Sequence, residues 1–317
     1  MLVPIITVLL GFLALLWSAD RFVGAAAATA YRAGMSPLLV GMTIVALGTS
    51  APEIVVSLMA SLDGIPNLAT GNALGSNIAN IGLVLGVTAL VTPIPIRFSI
   101  VRRELPLLLG ATGLAGYALA NGILGRLDAL LLLAFLVFSL WWLFRADCPD
   151  DAATGDIPDM SLLRALLWLG GTLAIMVVGS RALVWGASEL ARGLGVSELV
   201  IGLTVVAIGT SLPELAACVV SALKRHHDIA IGNVIGSNLF NLLAVLPLPG
   251  LLAPGLIDAA AGERDYPVML ALTLALAMLL LWQRRGALGR LPGGLLVLSY
   301  LAYLSWLGTG GSGLSAH

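Results

Sequence analysis

The sequence predicts an all-α polytopic membrane protein. Ten transmembrane helices form two five-helix repeats of inverted topology, with helices 2, 3, 7 and 8 broken. Three observations lead there. Of 317 residues, 59% are hydrophobic and 10% are charged, whereas a soluble domain carries about 25% charge. Apolar stretches long enough to span a bilayer, about 20 residues each, recur along the chain. Two polar motifs occur twice: GTSAPE at Gly48–Glu53 returns as GTSLPE at Gly209–Glu214, and GNALGSNIAN at Gly71–Asn80 returns as GNVIGSNLFN at Gly232–Asn241. The offset, Glu53 to Glu214 and Asn80 to Asn241, is 161 residues in both cases. The duplicated blocks cover 41–90 and 202–251.

Taken in order, the spans fall near 2–31, 36–62, 67–92, 104–120, 127–144, 161–190, 197–223, 229–252, 266–283 and 291–308. The first lacks a basic leader and an A-x-A site, so it reads as a retained helix rather than a signal peptide. The first and sixth exceed the bilayer thickness, which implies tilt. The second, third, seventh and eighth carry the motifs. The acidic segment Arg145–Asp159 reads as a link at 146–160 between a first repeat, 1–145, and a second, 161–317. Cys148 and Cys218 fall in unlike environments and form no motif, so no disulfide is expected. Net charge is −1 without a basic run, which speaks against nucleic acid as a partner.

Basic residues set the orientation. With the amino terminus outside, the inner loops hold Arg32, Arg97, Arg102, Arg103, Arg145, Arg164, Lys224, Arg225, Arg284, Arg285 and Arg290, and the outer loops hold Arg126, Arg192 and Arg264. Eleven against three puts both termini outside the cytoplasm. Five spans per half is an odd number, so the second half enters the membrane upside down relative to the first. That is the inverted repeat found in many secondary transporters.

The motifs carry the chemistry. Pro52 lacks an N–H and clashes with the preceding turn, so the helix is expected to break near Gly48 and release carbonyls such as those of Ala46 and Thr49. Freed carbonyls inside a membrane must face protein, water or an ion. Glu53 then lies in the first turn of the next half-helix, where the dipole favours its charge. The same holds for Ala207, Thr210, Ser211, Pro213 and Glu214. Two carboxylates with the Thr49 and Thr210 carbonyls supply six hard oxygens, which suits Ca²⁺ better than Mg²⁺. The hydroxyls of Ser50, Ser76, Ser211 and Ser237 suit Na⁺. Asn77, Asn80, Asn238 and Asn241 can orient the acids or lend amide oxygens. An acid within a span costs at least about 2.5–3.5 kcal/mol on insertion scales and is by default functional. No His–Cys cluster invites Zn²⁺ or copper.

Gly41, Gly71, Gly202 and Gly232 read as helix-packing residues. Asp20 and Arg181 occupy comparable places in helices 1 and 6 with opposite sign, which argues against a shared role. Glu189 and Glu198 fall near a membrane surface. His226 and His227 read as members of a solvated loop. Trp141, Trp142, Trp282 and Trp306 read as interface anchors.

At the paired GTSxPE and GNxxGSNxxN motifs the chain resembles the calcium/cation antiporter superfamily, specifically the prokaryotic sodium/calcium exchangers, over nearly its whole length. The resemblance implies that Glu53 and Glu214 are the calcium carboxylates, with Thr49 and Thr210 giving carbonyls. It implies that Ser50, Ser76, Ser211, Ser237 and the carbonyls of Ala46 and Ala207 serve sodium, and that helices 1 and 6 slide across the other eight. Some relatives, including potassium-dependent ones, carry Asp where this chain has Asn241, and the neutral amide argues against potassium coupling. Proton-coupled members place an acid within the GN motif, and neither copy here has one. The expected protein is therefore not an enzyme. It moves Ca²⁺ and Na⁺, holds no permanent cofactor, sits in the cell (inner) membrane and works as a monomer in lipid. A Ca²⁺/H⁺ antiporter, a potassium-coupled exchanger and a cation channel are the alternatives.

Overall fold

The computed structural model describes residues 2–96, 98–146, 157–194, 207–282 and 286–310. Gly202, Glu198, Cys148, Arg97, Arg284 and Arg285, the first ten residues of the seventh expected span and most of the 146–160 link lie outside the described residues. The helices are α1 (Leu2–Ala33), α2 (Pro37–Thr49), α3 (Ala51–Leu62), α4 (Pro66–Val91), α5 (Phe98–Leu119), α6 (Arg126–Ala146), α7 (Leu162–Gly193), α8 (Ala207–Thr210), α9 (Leu212–Leu223), α10 (His227–Leu252), α11 (Ala261–Trp282) and α12 (Arg290–Gly310). Local chemistry starts several of them. Ser36 accepts the Leu39 N–H at 3.1 Å ahead of Pro37, a proline placed where its missing N–H has no helical partner anyway. Ser161 caps α7 in the same way by accepting the Arg164 N–H. Pro66 opens α4.

Six of these helices, α1, α4, α6, α7, α10 and α11, are each long and apolar enough to cross a membrane, and the bent pair α2–α3 makes a seventh if taken as one span. The chain is a predominantly helical, multi-pass membrane protein. Its helices sort into inside and outside. The apolar stretches of α4 and α10 are 78% and 94% buried against the rest of the protein, against 22% for α1 and 28% for α7, so α4 and α10 form the centre. Trp141, Trp142, Trp282 and Trp306 are exposed on the periphery.

The offset of 161 seen in the sequence returns in the backbone. It carries α3 onto α9, α4 onto α10, and the strand β1 (Ile94–Pro95) onto β3 (Gly255–Leu256). With β2 (Ile123–Leu124) and β4 (Ala287–Leu288), these strands form two antiparallel pairs, β1 with β4 and β2 with β3, each joining the two halves. The turn after α3 places Gly64 at φ +74° and that after α9 places Arg225 at φ +64°. Both close the helix with a bond from the next N–H five residues back, Ile65 to Ala60 and His226 to Ser221, each 2.8 Å. That turn folds His226 and Asp228 inward, and both are buried. The expectation of a solvated loop is therefore corrected for His226 and Asp228, which the left-handed turn tucks inward, while Arg225 stays exposed and Lys224 and His227 are half-buried.

Helices 3 and 8 were expected to be broken, and this expectation is corrected. Each is one continuous helix, α4 or α10, that passes through a widened turn, Asn80–Leu85 or Asn241–Val245. In the second, the Leu246 N–H reaches the Asn241 carbonyl five residues back at 2.9 Å. Such a π-turn absorbs one extra residue without ending the helix, and it is frequent at functional sites. Neither widened turn contains a proline that would force a break.

Two glycine contacts fix the packing around the centre. A Cβ on Gly41 would lie 2.7 Å from the Ile229 carbonyl oxygen, and one on Gly232 would lie 2.6 Å from that of Leu38. Thus α2 and α10 touch backbone to backbone, and Gly41 and Gly232 are packing glycines as expected. Gly71 is not: no described atom lies within 4 Å of its would-be Cβ. On the outside, α1 and α7 are held together by Gly11 and Gly179, whose backbones meet at similarly short range.

Candidate functional site

The site forms where the elbows α2–α3 and α8–α9 meet the middles of α4 and α10. The first elbow bends by 45° at Ser50, which leaves helical geometry at φ −84°, ψ 4°. Pro52 removes the donor that the carbonyl four residues earlier would have used, and that carbonyl belongs to Gly48. Ala46 keeps its helical partner, because its carbonyl accepts the Ser50 N–H at 2.9 Å. The expectation that the break orphans Ala46 is therefore corrected, although a carbonyl retains a second lone pair for an ion. In the second elbow Pro213 strands the Gly209 carbonyl in the same manner. There the Ser180 hydroxyl of α7 donates to it at 2.8 Å. Ser211 N–H turns to Ile208 rather than to Ala207.

Glu53 and Glu214 lie in the first turns of α3 and α9, each 2% exposed. The Glu214 carboxylate sits beside the hydroxyls of Thr49 and Ser50 and within the field of Glu53. One oxygen of each acid, Oε2, is buried and receives no hydrogen bond. The Oγ atoms of Ser50 and Ser237, the Oδ1 atoms of Asn77 and Asn238, and both amide atoms of Asn241 share that condition. A native core holds only a few unsatisfied buried polar groups per 100 residues, and each calls for an explanation such as an ion or water. Ser76, Ser211 and Asn80 are buried in the same zone, while Thr210 is half-buried. Among the described residues no three His, Cys, Asp or Glu side chains gather. Any cation here takes its remaining ligands from hydroxyls, amides and carbonyls, as hard cations do.

Two asparagines that sequence reasoning passed over organise the surroundings. Asn72 donates to the Ser57 hydroxyl at 2.9 Å and to the Glu53 carbonyl at 3.2 Å. Its repeat-mate Asn233 donates to Cys218 Sγ at 3.2 Å and accepts from the Thr49 hydroxyl at 3.1 Å. The signal was present in the repeated Gly-Asn pair. Ser180 gave no such signal, because it lies outside the duplicated blocks.

The halves differ in one respect. Thr49 is fully buried and tied to Asn233, and α2 presses on Gly232. The matching face of the other half is open. Gly71, Asn72, Gly75 and Ser76 line a cavity of about 210 Å³ with Thr210 and Ser211, closed on its far side by Tyr300 and Tyr303. The Tyr303 hydroxyl donates to Asp265 at 2.9 Å, which Arg264 also holds.

The sequence profile of the sodium/calcium exchanger protein family matches residues 3–145 and 164–308. The chain belongs to this family. Among exchanger-family relatives, it is 46% identical to CaxA of Alkalimonas amylolytica, whose name marks it as a candidate antiporter, over 96% of this chain and 98% of CaxA. It is 45% identical to the inner membrane protein YrbG of Escherichia coli K12, over 97% and 98% of the two chains. Among solved structures, the sodium-calcium exchanger NCX_Mj soaked with zero Na⁺ and Ca²⁺ superposes with a TM-score of 0.84 at 30% identity, covering 96% of this chain and 99% of that one. These proteins are named as exchangers, antiporters or membrane proteins, so membership places the chain among ion transporters.

Proposed function

We propose that the chain is a secondary active transporter that exchanges Ca²⁺ for Na⁺ by alternating access at one shared midplane site. The observation that carries this reading is the pair of buried acids, Glu53 and Glu214, which feel each other's charge and each keep an unpartnered oxygen, with unpartnered hydroxyls and amides buried in the same motifs. Glu53, Glu214, Thr49 and Thr210 hold Ca²⁺. Ser50, Ser76, Ser211, Ser237 and the carbonyls of Ala46 and Ala207 hold Na⁺, with Asn80 and Asn241 orienting the acids. An empty site carries two negative charges and resists crossing the barrier, which enforces exchange. Each net charge moved per cycle is worth about 2.3 kcal/mol at 100 mV. Sodium entry into a negative interior then extrudes calcium.

The architecture we infer is ten spans. To the helices already long enough it adds α5, α12 and the pair α8–α9. Two repeats, 1–145 and 161–317, join through a cytoplasmic link at 146–160 and insert in opposite directions, with both termini outside. The offset that maps α3, α4 and β1 onto α9, α10 and β3 supports this. So does the unequal state of the two halves, one packed at Thr49–Asn233 and one with a cavity beside Gly71 and Ser76, as expected of a carrier resting open to one side.

The test is ⁴⁵Ca²⁺ uptake by purified protein in liposomes, with outward Na⁺, K⁺ and H⁺ gradients imposed singly. Uptake driven by Na⁺ alone is expected. Uptake driven only by a pH gradient would replace the coupling ion, and uptake without any counter-ion would replace exchange by a channel.

A further inference from the structure

Asp20 and Arg181 occupy comparable places in α1 and α7 with opposite sign, and the structure gives them different surroundings. Asp20 is paired: the Lys224 ammonium lies 2.7 Å from its carboxylate and donates to its backbone carbonyl at 2.8 Å. Arg181 is exposed and has no hydrogen-bonding or ionic partner among the described residues. It lies well inside the span α7, at a cleft of about 270 Å³ whose walls include Pro52, Gly209, Thr210 and Pro213. Those prolines immediately precede Glu53 and Glu214, so the cleft ends against both elbows that carry the acids. Among the described residues that line the cleft, Arg181 is the one ionisable side chain. Its neighbour Ser180 bonds the Gly209 carbonyl at 2.8 Å, which pins this turn of α7 to the elbow and holds the guanidinium stem beside it.

An unpaired guanidinium at membrane depth stays charged, so it must face a bundle interior or a water-filled cavity. We propose that this cleft is a hydrated passage, and that Arg181 in its wall sets the rate and ion preference of access to Glu53 and Glu214 by repelling cations there. The proposal rests on the reading that those acids bind Ca²⁺ and Na⁺.

The physics predicts a signature. A fixed local potential changes the concentration of an ion by a Boltzmann factor whose exponent scales with the ion's charge. Whatever factor f Arg181 imposes on Na⁺, it imposes f² on Ca²⁺. The charge therefore favours release of calcium into this passage and handicaps its rebinding against sodium. A structural role for Arg181 would not produce that squared relation.

The experiment measures half-saturating Ca²⁺ and Na⁺ for the full-length protein in liposomes, comparing wild type with Arg181→Lys, Arg181→Gln and Arg181→Glu. For Arg181→Gln the half-saturating concentration should fall about twofold for Na⁺ and about fourfold for Ca²⁺, the size expected of a unit charge roughly 10 Å away in water. Arg181→Glu should repeat both steps, and Arg181→Lys should match wild type. Raising ionic strength with choline chloride should shrink every difference. Equal shifts for the two ions, no shift, or a shift in Arg181→Lys as large as in Arg181→Gln would overturn the proposal. A wild type without calcium flux would overturn the exchange reading and this proposal together. That result is distinct, because it appears before any variant is compared.

Discussion

Asn77 donates a hydrogen bond to the backbone carbonyl of Asn238 at 3.3 Å, and the two residues are the same position in the two copies of the motif. A residue can touch its own repeat-mate only near an axis that exchanges the halves. The contact therefore marks the centre about which the duplicated elbows and widened turns are arranged. Glu53 and Glu214, the other conspicuous repeat-mates, interact across the same centre. On the proposed reading, one ion is held by both halves at once.

Removing one carboxylate should abolish exchange and spare the fold. Glu53→Gln and Glu214→Gln keep shape and hydrogen-bonding capacity while deleting charge. Sodium-driven ⁴⁵Ca²⁺ uptake is expected to fall to the level of empty liposomes, with unchanged elution on size exclusion. Uptake near the wild-type rate in either variant would remove the carboxylate mechanism.

The bond from Thr49 to Asn233 should stabilise the packed half. Thr49→Val leaves the Asn233 oxygen buried without a donor, which costs about 1–3 kcal/mol. Adding Asn233→Leu to Thr49→Val should restore part of that loss, since residues sharing one hydrogen bond do not behave additively. Thermal unfolding of the two single variants and the double variant reads the coupling.

Glycines at repeat-equivalent positions should respond oppositely to alanine. Gly232→Ala drives a methyl group against the Leu38 carbonyl, and overpacking of this kind costs about 1–3 kcal/mol. Gly71→Ala meets no described atom within 4 Å and faces the open cavity. The first variant is expected to lower the melting temperature by several degrees. The second should keep it and slow transport by narrowing the cavity, as flux assays on the same preparations would reveal.

Gly64 and Arg225 occupy the same left-handed turn in the two halves. Gly64→Ala places a Cβ where L-residues pay about 1–2 kcal/mol, although no described atom obstructs it. A destabilisation of that size in thermal unfolding is expected, with transport retained below the shifted melting point.

Much of the site was legible because its cause is local. A proline four residues after a glycine must disturb a helix wherever it stands, and an acid inside an apolar span must find a partner. The duplication then announced that the disturbance occurs twice. Glu53, Glu214, Ser50, Ser211, Ser76 and Ser237 could be named for these reasons, and all are buried. The misreadings concern what a neighbour supplies. Breaks expected in helices 3 and 8 became widened turns, since Asn80 and Asn241 leave the ladder without a proline to sever it. Gly71 looked like Gly232 in sequence, yet one faces a cavity and the other a backbone.

The sequence by itself determined the membrane class, the duplicated motifs and the residue types able to hold a hard cation. Each follows from composition or from constraints within a few residues. Only the tertiary structure decided which carbonyl Ser180 satisfies, that Thr49 answers to Asn233, and that Arg181 stands unpaired beside the elbows while Asp20 does not. Those outcomes depend on which helices lie against one another, and identical motifs acquire different partners once two halves of one chain pack unequally around a common centre.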